Sequence, residues 1–233
     1  MVYVIKIGGS LLFDKNGDIV IERIKILTDI IKSSHLIRGI VCGGGIIARK
    51  YINAGRNMGV DEFKLDLLGI EISRINAKLF LSILGDRAYP LIIKSVEEAQ
   101  KASLSNKIIV AGGFIPGQST TTVALQILEK LNLNKLLILT DVDGIYDKNP
   151  KIFPKAKKYD EISIDTLEKI IQKQGEKQSN AGEYRIFDKV STLIFKRNNM
   201  KIRLMSGYYP ENIKKIIKGD IESTNIGTLI LKS

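Results

Sequence analysis

VYVIKIGGSLL, residues 2–12, is an apolar, β-branched run that stops at two glycines and a serine. Its first part, Val2–Ile7, reads as a buried strand that runs into a tight turn. The same succession returns twice, in GIVCGGGIIARKYI at residues 39–52 and in IIVAGGFIPGQSTTTVAL at residues 108–125. Each of these glycine turns leads into helical spacing or further turn signals. A strand ending in a glycine turn that opens a helix aims bare backbone N–H groups at one point. The helix dipole adds positive potential there, and phosphate is the natural ligand. A single turn of this kind also serves ordinary chain reversal. Three in one small protein point to a site built for several phosphates.

Outward from these turns, apolar runs alternate with helical patterns. Asn16-Gly17 between Leu12-Phe13 and Ile19-Val20 predicts a hairpin, and Val20, Ile24, Leu27 and Ile31 recur at helical spacing. Ile37–Val41 reads as a strand, followed by helices over Ile46–Asn57 and Glu62–Leu84. On the second of these helices Asp66, Gly69, Ser73 and Asn76 fall on one small or polar face. Strands are expected at Leu91–Ile93, Lys107–Ala111, Leu136–Thr140, Lys201–Met205 and Thr228–Leu231. Helices are expected near Val96–Ala102, Ser119–Leu131 and Lys189–Asn198, with a Ser163/Asp165-capped helix to Lys173 and a Pro210-initiated helix to Lys218. The polar segment Lys173–Glu183, with Gly175 and Gly182, is expected to be a loop. Alternating strands and helices predict one α/β domain with a mostly parallel sheet covered on both faces. In such a sheet ligands gather outside the carboxyl ends of the strands. All three glycine turns, and the turn after Thr140, lie at such ends and can form one site.

The 233 residues are 44% apolar and 26% charged, ordinary for a soluble globular chain. No apolar stretch approaches the roughly 18 residues of a membrane span, so no membrane partner is expected. The N-terminus enters a strand pattern at once, and no targeting leader is expected. Cys42 is the single cysteine; it cannot close an internal disulfide, reads as buried packing and fits a cytoplasmic location. The net charge of +11 suits a solvated surface or the collection of anionic small molecules. The basic residues are dispersed and the aromatics are not interleaved with them, so no nucleic-acid partner is expected. His35, the single histidine, sits in a polar turn away from every motif and reads as a surface residue.

Lys6 lies inside the first apolar strand, two residues before Gly8-Gly9-Ser10. An ammonium there is costly to bury unless it meets an anion, so it reads either as a phosphate ligand beside the N–H groups of Gly9 and Ser10 or as a lysine on an exposed strand face. Arg49 stands one helical turn beyond Gly43-Gly44-Gly45, placed to fork onto a phosphate or to face solvent. Asp66 suits a sugar hydroxyl, or a surface. Pro116-Gly117-Gln118-Ser119-Thr120 offers a rigid turn, backbone donors, hydroxyls and an amide able to read a base edge. Ser119 alone also fits a helix cap. Asp143, in a turn fixed by Gly144, suits orientation of Lys6 or of a magnesium ion, and Tyr146 suits stacking on a purine or capping the site. The patterns GxxxxGK[ST] and GxGxxG are absent.

With these residues in view, the chain resembles the amino-acid-kinase superfamily, and within it the archaeal-type uridylate (UMP) kinases. The resemblance runs from Val4 to about Met205. It rests on GGFIPGQST at residues 112–120, LTDVDGIYDKNP at 139–150, NAGEYRIFD at 180–188, and MGVDE at 58–62 leading into LDLLGIEISRINA at 65–77. The resemblance implies a three-layer α/β/α fold and the reaction of ATP with UMP to give ADP and UDP. Magnesium would be carried with ATP, with no resident metal site. It implies that Lys6, Gly9 and Ser10 hold the transferring phosphates, with Lys6 and Asp143 as the catalytic pair. Gly45 and Arg49 would hold phosphate at the donor–acceptor junction, and Thr140, Tyr146 and Asn149 would lie along ATP. Gly44 would contact UMP, Asp66 its ribose, and Phe114, Ile115, Pro116, Gly117, Gln118, Ser119 and Thr120 its base and phosphate. The N-terminal part would serve mainly the acceptor and the part from about residue 135 mainly ATP. The resemblance also implies a homo-oligomer, a hexamer. Two positions depart from the pattern: Asn149 stands where the family has aspartate, and Leu193 where a lysine is frequent.

Two nucleotides with facing phosphates repel, and direct transfer needs them in line. Glycine N–H groups, Lys6, Arg49 and magnesium would neutralise that charge, and no nucleophilic side chain is needed. The alternatives are a sibling kinase of the same fold, such as an isopentenyl phosphate kinase, and a non-catalytic oxoanion-storage protein. The first would place a histidine near the acceptor phosphate, where His35 is badly placed.

Overall fold

A computed structural model of the protein describes residues 2–148, 150, 152–173, 186–222 and 224–232. β1 (Tyr3–Ile7) is buried at all five positions, as its run of β-branched residues requires of a strand covered on both faces. It lies at the middle of an eight-stranded sheet. β2 (Ile37–Cys42), β4 (Ile108–Ala111) and β3 (Ala88–Ile93) extend it on one side, β5 (Lys135–Thr140) and β9 (Lys201–Ser206) on the other. All six run parallel. β10 (Thr228–Leu231) then pairs antiparallel with β9, and β8 (Glu161–Ser163) pairs parallel with β10. A separate two-stranded pair joins β6 (Ile145–Tyr146) to β7 (Lys158–Tyr159).

Alternation along β1 sends Tyr3, Ile5 and Ile7 to one face of the sheet and Val4 to the other. The first face is covered by α1 (Ile21–Ser33), α3 (Glu62–Leu84) and α8 (Pro210–Lys218), through Leu27, Phe80 and Ile216. The second is covered by α4 (Val96–Ser103), α5 (Thr120–Lys130), α6 (Ile164–Lys173) and α7 (Lys189–Arg197), through Ala99, Leu125, Leu167 and Phe195. The result is the three-layer α/β/α arrangement. Phe80 and Phe195 are fully buried, each stabilising its layer by about 1.5–3 kcal/mol relative to exposure. α2 (Gly45–Asn57) lies outside this sandwich and packs on α3 through Ala48, Ile52, Leu65 and Ile72.

α3 starts where Asp61 accepts the Lys64 N–H and stops at Gly85, φ +54. The hairpin expected at Asn16-Gly17 is a single bridge between Phe13 and Ile19. Gly17 has φ +99, and the Asp14 carboxylate closes the turn on the N–H groups of residues 16 to 18. Of the expected loop at Lys173–Glu183, Lys173 ends α6 and the rest lies outside the described residues.

Candidate functional site

Because six neighbouring strands are parallel, the turns after β1, β2, β4 and β5 open on the same edge of the sheet. They are joined there by backbone. The Gly8 N–H donates to the Leu139 carbonyl at 2.8 Å, and the Gly43 N–H to the Ile7 carbonyl at 2.9 Å. A Cβ on Gly9 would stand 2.1 Å from Gly45 N, and one on Gly45, φ +69, would stand 2.5 Å from Gly9 O. Only glycine permits that approach. Gly44 caps α2 and has no side chain of its own to accept from the first N–H groups, the kind of helix end at which an anion binds. Arg49, one turn along α2, is half-buried.

The face of α3 that carries Asp66, Gly69, Ser73 and Asn76 meets two of these turns. Asn76 Nδ2 donates to the carbonyls of Gly43 at 2.8 Å and Gly44 at 3.3 Å. Ser73 Oγ accepts the Gly113 N–H at 2.7 Å, and Asp66 Oδ2 accepts the Gly117 N–H at 2.8 Å. Arg74, which the spacing did not single out, holds the carbonyls of Gly113 and Phe114, both at 3.0 Å. Phe114 is buried and Ile115 exposed, with Pro116 half-buried between Ile115 and Gly117, φ +78.

Ser119 does cap α5, accepting the Thr122 N–H at 3.1 Å, and Thr120 opens the helix half-buried. The Oε1 of Gln118 and the hydroxyl of Thr121 are buried without a hydrogen-bond partner among the described residues. Each such atom costs roughly 1–3 kcal/mol until a ligand satisfies it.

Lys6 is 3% exposed, so it does not sit on an exposed strand face. It shares its face with Val4 and pairs with Val41 and Ile138 on the flanking strands. Cys42 is fully buried, and burial pushes its thiol up to about 12 against the pull of Lys6. It is therefore a packing residue.

At the end of β5, Thr140 is fully buried; its carbonyl accepts the Gly207 N–H at 2.8 Å. Ser10 Oγ donates to Asp141 Oδ1 at 3.1 Å, tying the turn after β1 to the turn after β5. Asp143, expected to orient Lys6 or a magnesium ion, stands in the turn that follows. Its carboxylate accepts from the Tyr146 hydroxyl at 2.8 Å and faces Lys158 Nζ at 4.0 Å. The bond to Asp143, with burial, pushes the Tyr146 phenol above its ordinary value, so it stays a neutral donor. Asp143 and Lys158 line a cavity of about 180 Å³ with Ser206, Tyr209, Asn212 and Gly227. Asn149 lies outside the described residues. Leu193 is 64% exposed on α7, so that helix offers no cation at this position.

Asp188, also missed from the sequence, anchors α5 from α7. It accepts the Ser119 N–H at 2.7 Å, the Thr122 hydroxyl at 2.7 Å and the Ser191 N–H at 2.7 Å. Burial pushes its carboxyl up, but the hydrogen bonds from Ser191, Thr122 and Ser119 outweigh this and hold it below the ordinary carboxylate value. A depressed native value contributes stability that is complete above the unfolded value, about 3.9, and is lost as pH falls through the native one. Thermal unfolding of the wild type is expected to lose Tm on acidification below about pH 4 more steeply than Asp188→Asn. Identical acid slopes would remove Asp188 from this role.

Residues 1–206 match the model of the amino acid kinase family. The chain is 37% identical over 230 residues to a uridylate kinase of Sulfurisphaera tokodaii, covering 99% of each chain. It is 38% identical over 226 residues to a uridylate kinase of Methanobrevibacter smithii, covering 97% of this chain and 99% of that one. Among solved structures, the uridylate kinase of Archaeoglobus fulgidus superposes with a TM-score of 0.79 at 30% identity, over 99% of this chain and 100% of that chain.

Proposed function

This chain belongs to the amino acid kinase family, and on that premise we propose that it is a uridylate kinase, moving the γ-phosphoryl group of ATP to UMP. The observation that carries the reading is the backbone contact of Gly9 with Gly45. It brings two N–H-lined turns together as a cradle for facing phosphates. A UMP phosphate oxygen attacks the γ-phosphorus, the bond to the β,γ-bridging oxygen breaks, and ADP leaves with that electron pair. Lys6, Gly9, Ser10, Gly45 and Arg49 spread the charge of the transition state. Thr140, Tyr146 and Asn149 lie along ATP, and Gly44, Asp66 and the segment Phe114–Thr120 receive UMP. The unsatisfied atoms of Gln118 and Thr121 support this placement of the acceptor. Magnesium is proposed to arrive on the ATP phosphates. Among the described residues no group of three or more metal-ligating side chains forms a cage, and this ion is commonly held by one or two carboxylates plus phosphates. The aspartates after β5 are the carboxylates at hand.

The test is magnesium-dependent ADP release from ATP with one acceptor at a time: UMP, CMP, dUMP, isopentenyl phosphate, N-acetylglutamate and carbamate. Turnover with UMP far above the rest is expected. Preference for another acceptor would overturn the acceptor pocket, and turnover with none would overturn the enzyme reading. Asp66→Ala, which removes the side chain that fixes the Gly117 N–H, is expected to raise the KM for UMP about tenfold with kcat within about threefold. A change confined to the KM for ATP would show the two nucleotide sites to be reversed.

A homo-oligomer is supported by the apolar side chains that α3 and β3 leave outside: Ile75 and Leu91 are well exposed, Leu79 and Ile83 partly so. Sedimentation velocity of a monomer at micromolar concentration would overturn it. A cytoplasmic setting is supported by the free, buried Cys42, and no described helix is long and apolar enough to cross a membrane.

A further inference from the structure

We propose that Arg23, braced by Tyr208, is a positioning residue that holds the turn Gly8–Leu11 in register for phosphoryl transfer; this rests on the uridylate kinase reading above. The turn after β1 is a short 3-10 helix, Gly9–Leu11, closed by Leu11 N–H to Gly8 O at 3.0 Å and Leu12 N–H to Gly9 O at 3.2 Å. A helix this short has little stability of its own. Its N–H groups hold a phosphate in place only if the turn is fastened from outside.

Two contacts fasten it at Leu11. Arg23, on α1, donates from Nη1 to the Leu11 carbonyl at 2.9 Å. The same guanidinium lies 4.4 Å over the ring of Tyr208, so its flat face and its edge are both engaged. The Leu11 side chain is fully buried, and it lies so close to Gly207 that a Cβ there would stand 2.3 Å from Leu11 Cδ1. Gly207 and Tyr208 belong to one turn, after β9, and that turn is itself bonded to the Thr140 carbonyl through the Gly207 N–H. Arg23 therefore locks Leu11 to the turn after β9, which is bonded to the Thr140 carbonyl. The turn under the transferring phosphate and the strand end beside ATP become one rigid piece. Occupied on both sides, the guanidinium acts through the backbone and not as a phosphate ligand.

The test compares wild type with Arg23→Gln, Arg23→Lys, Tyr208→Ala and the double variant Arg23→Gln/Tyr208→Ala. Arg23→Gln and Tyr208→Ala are each expected to lower kcat about tenfold with both KM values within about threefold, since a small misplacement of reacting groups costs rate before it costs binding. Arg23→Lys keeps a donor for Leu11 but not the flat face over the ring, and its kcat is expected between those of the wild type and Arg23→Gln. The double variant is expected to match the worse single one, because the two side chains act as a unit. Amide hydrogen exchange at Leu11 and Leu12 is expected to quicken about tenfold in Arg23→Gln. A wild-type kcat in Arg23→Gln, additive losses in the double variant, or unchanged exchange overturns the proposal. If the wild type itself turns over no UMP, the kinase reading falls. Exchange at Leu11 and Leu12 then decides the clasp alone, quickened exchange supporting it and unchanged exchange overturning it.

Discussion

Lys6→Ala is expected to lower kcat by about two to three orders of magnitude while the KM for UMP holds within about threefold. The reason lies in where the ammonium is kept. Lys6 is on the central strand, two residues from Gly8 and 3% exposed. Water screens its charge little, so its attraction for a phosphate oxygen is several-fold that of a surface lysine. That attraction grows as charge spreads over the transferring group, which is why the loss falls on kcat. Arginine is a poor substitute, because its planar fork needs more room than a strand packed on both faces leaves. Steady-state kinetics with both nucleotides varied, beside a thermal melt to confirm folding, checks it. An unchanged kcat would take Lys6 out of the mechanism.

Gly9→Ala is expected to cost at least about 100-fold in kcat/KM, because the added methyl displaces the phosphate-holding backbone by the order of an ångström. A Cβ at Gly9 would lie 2.1 Å from Gly45 N, 2.4 Å from Gly45 Cα and 2.8 Å from Gly44 C. All three are backbone atoms, so no rotamer change relieves the overlap. The turns after β1 and β2 must separate, with a stability loss of about 1–3 kcal/mol. Gly59→Ala is the control: Gly59 has φ +80 and nothing within 4 Å of an added Cβ. It should lose about 1 kcal/mol to backbone strain and keep its activity. If Gly9→Ala behaved like Gly59→Ala, the two turns would not form one cradle.

The parts of the fold that were legible in the sequence are those written in local chemistry. α3 runs over Glu62–Leu84 as read, since a capping aspartate and a terminal glycine mark its ends. β6, β7 and β8 were not legible, because strands of two or three residues are too short to show a period. Nor was the reversal at β10: alternation tells which face a residue takes, not which way its strand runs. The same limit applied at the site. Glycines announced the turns, but Arg74 and Asp188 act on loops 39 to 69 positions away, and nothing near them marks that reach. Ser10 and Asp141, 131 positions apart, likewise meet only because β1 and β5 lie side by side.

α3 passes under two of the loops at the site. Asp66, Ser73, Arg74 and Asn76 together hold the loops after β2 and β4, so a single rod carries both loops as a cam carries its followers. Inserting or deleting one residue between Asp66 and Asn76 turns everything beyond it by about 100°, so the contacts on one side of the change are lost while those on the other hold. Point substitutions can reshape this pocket gradually, but the length of the rod between those residues can change only in near-whole turns, such as seven residues at once. The spacing of these contacts on α3 is therefore set as firmly as the identity of the residues that make them.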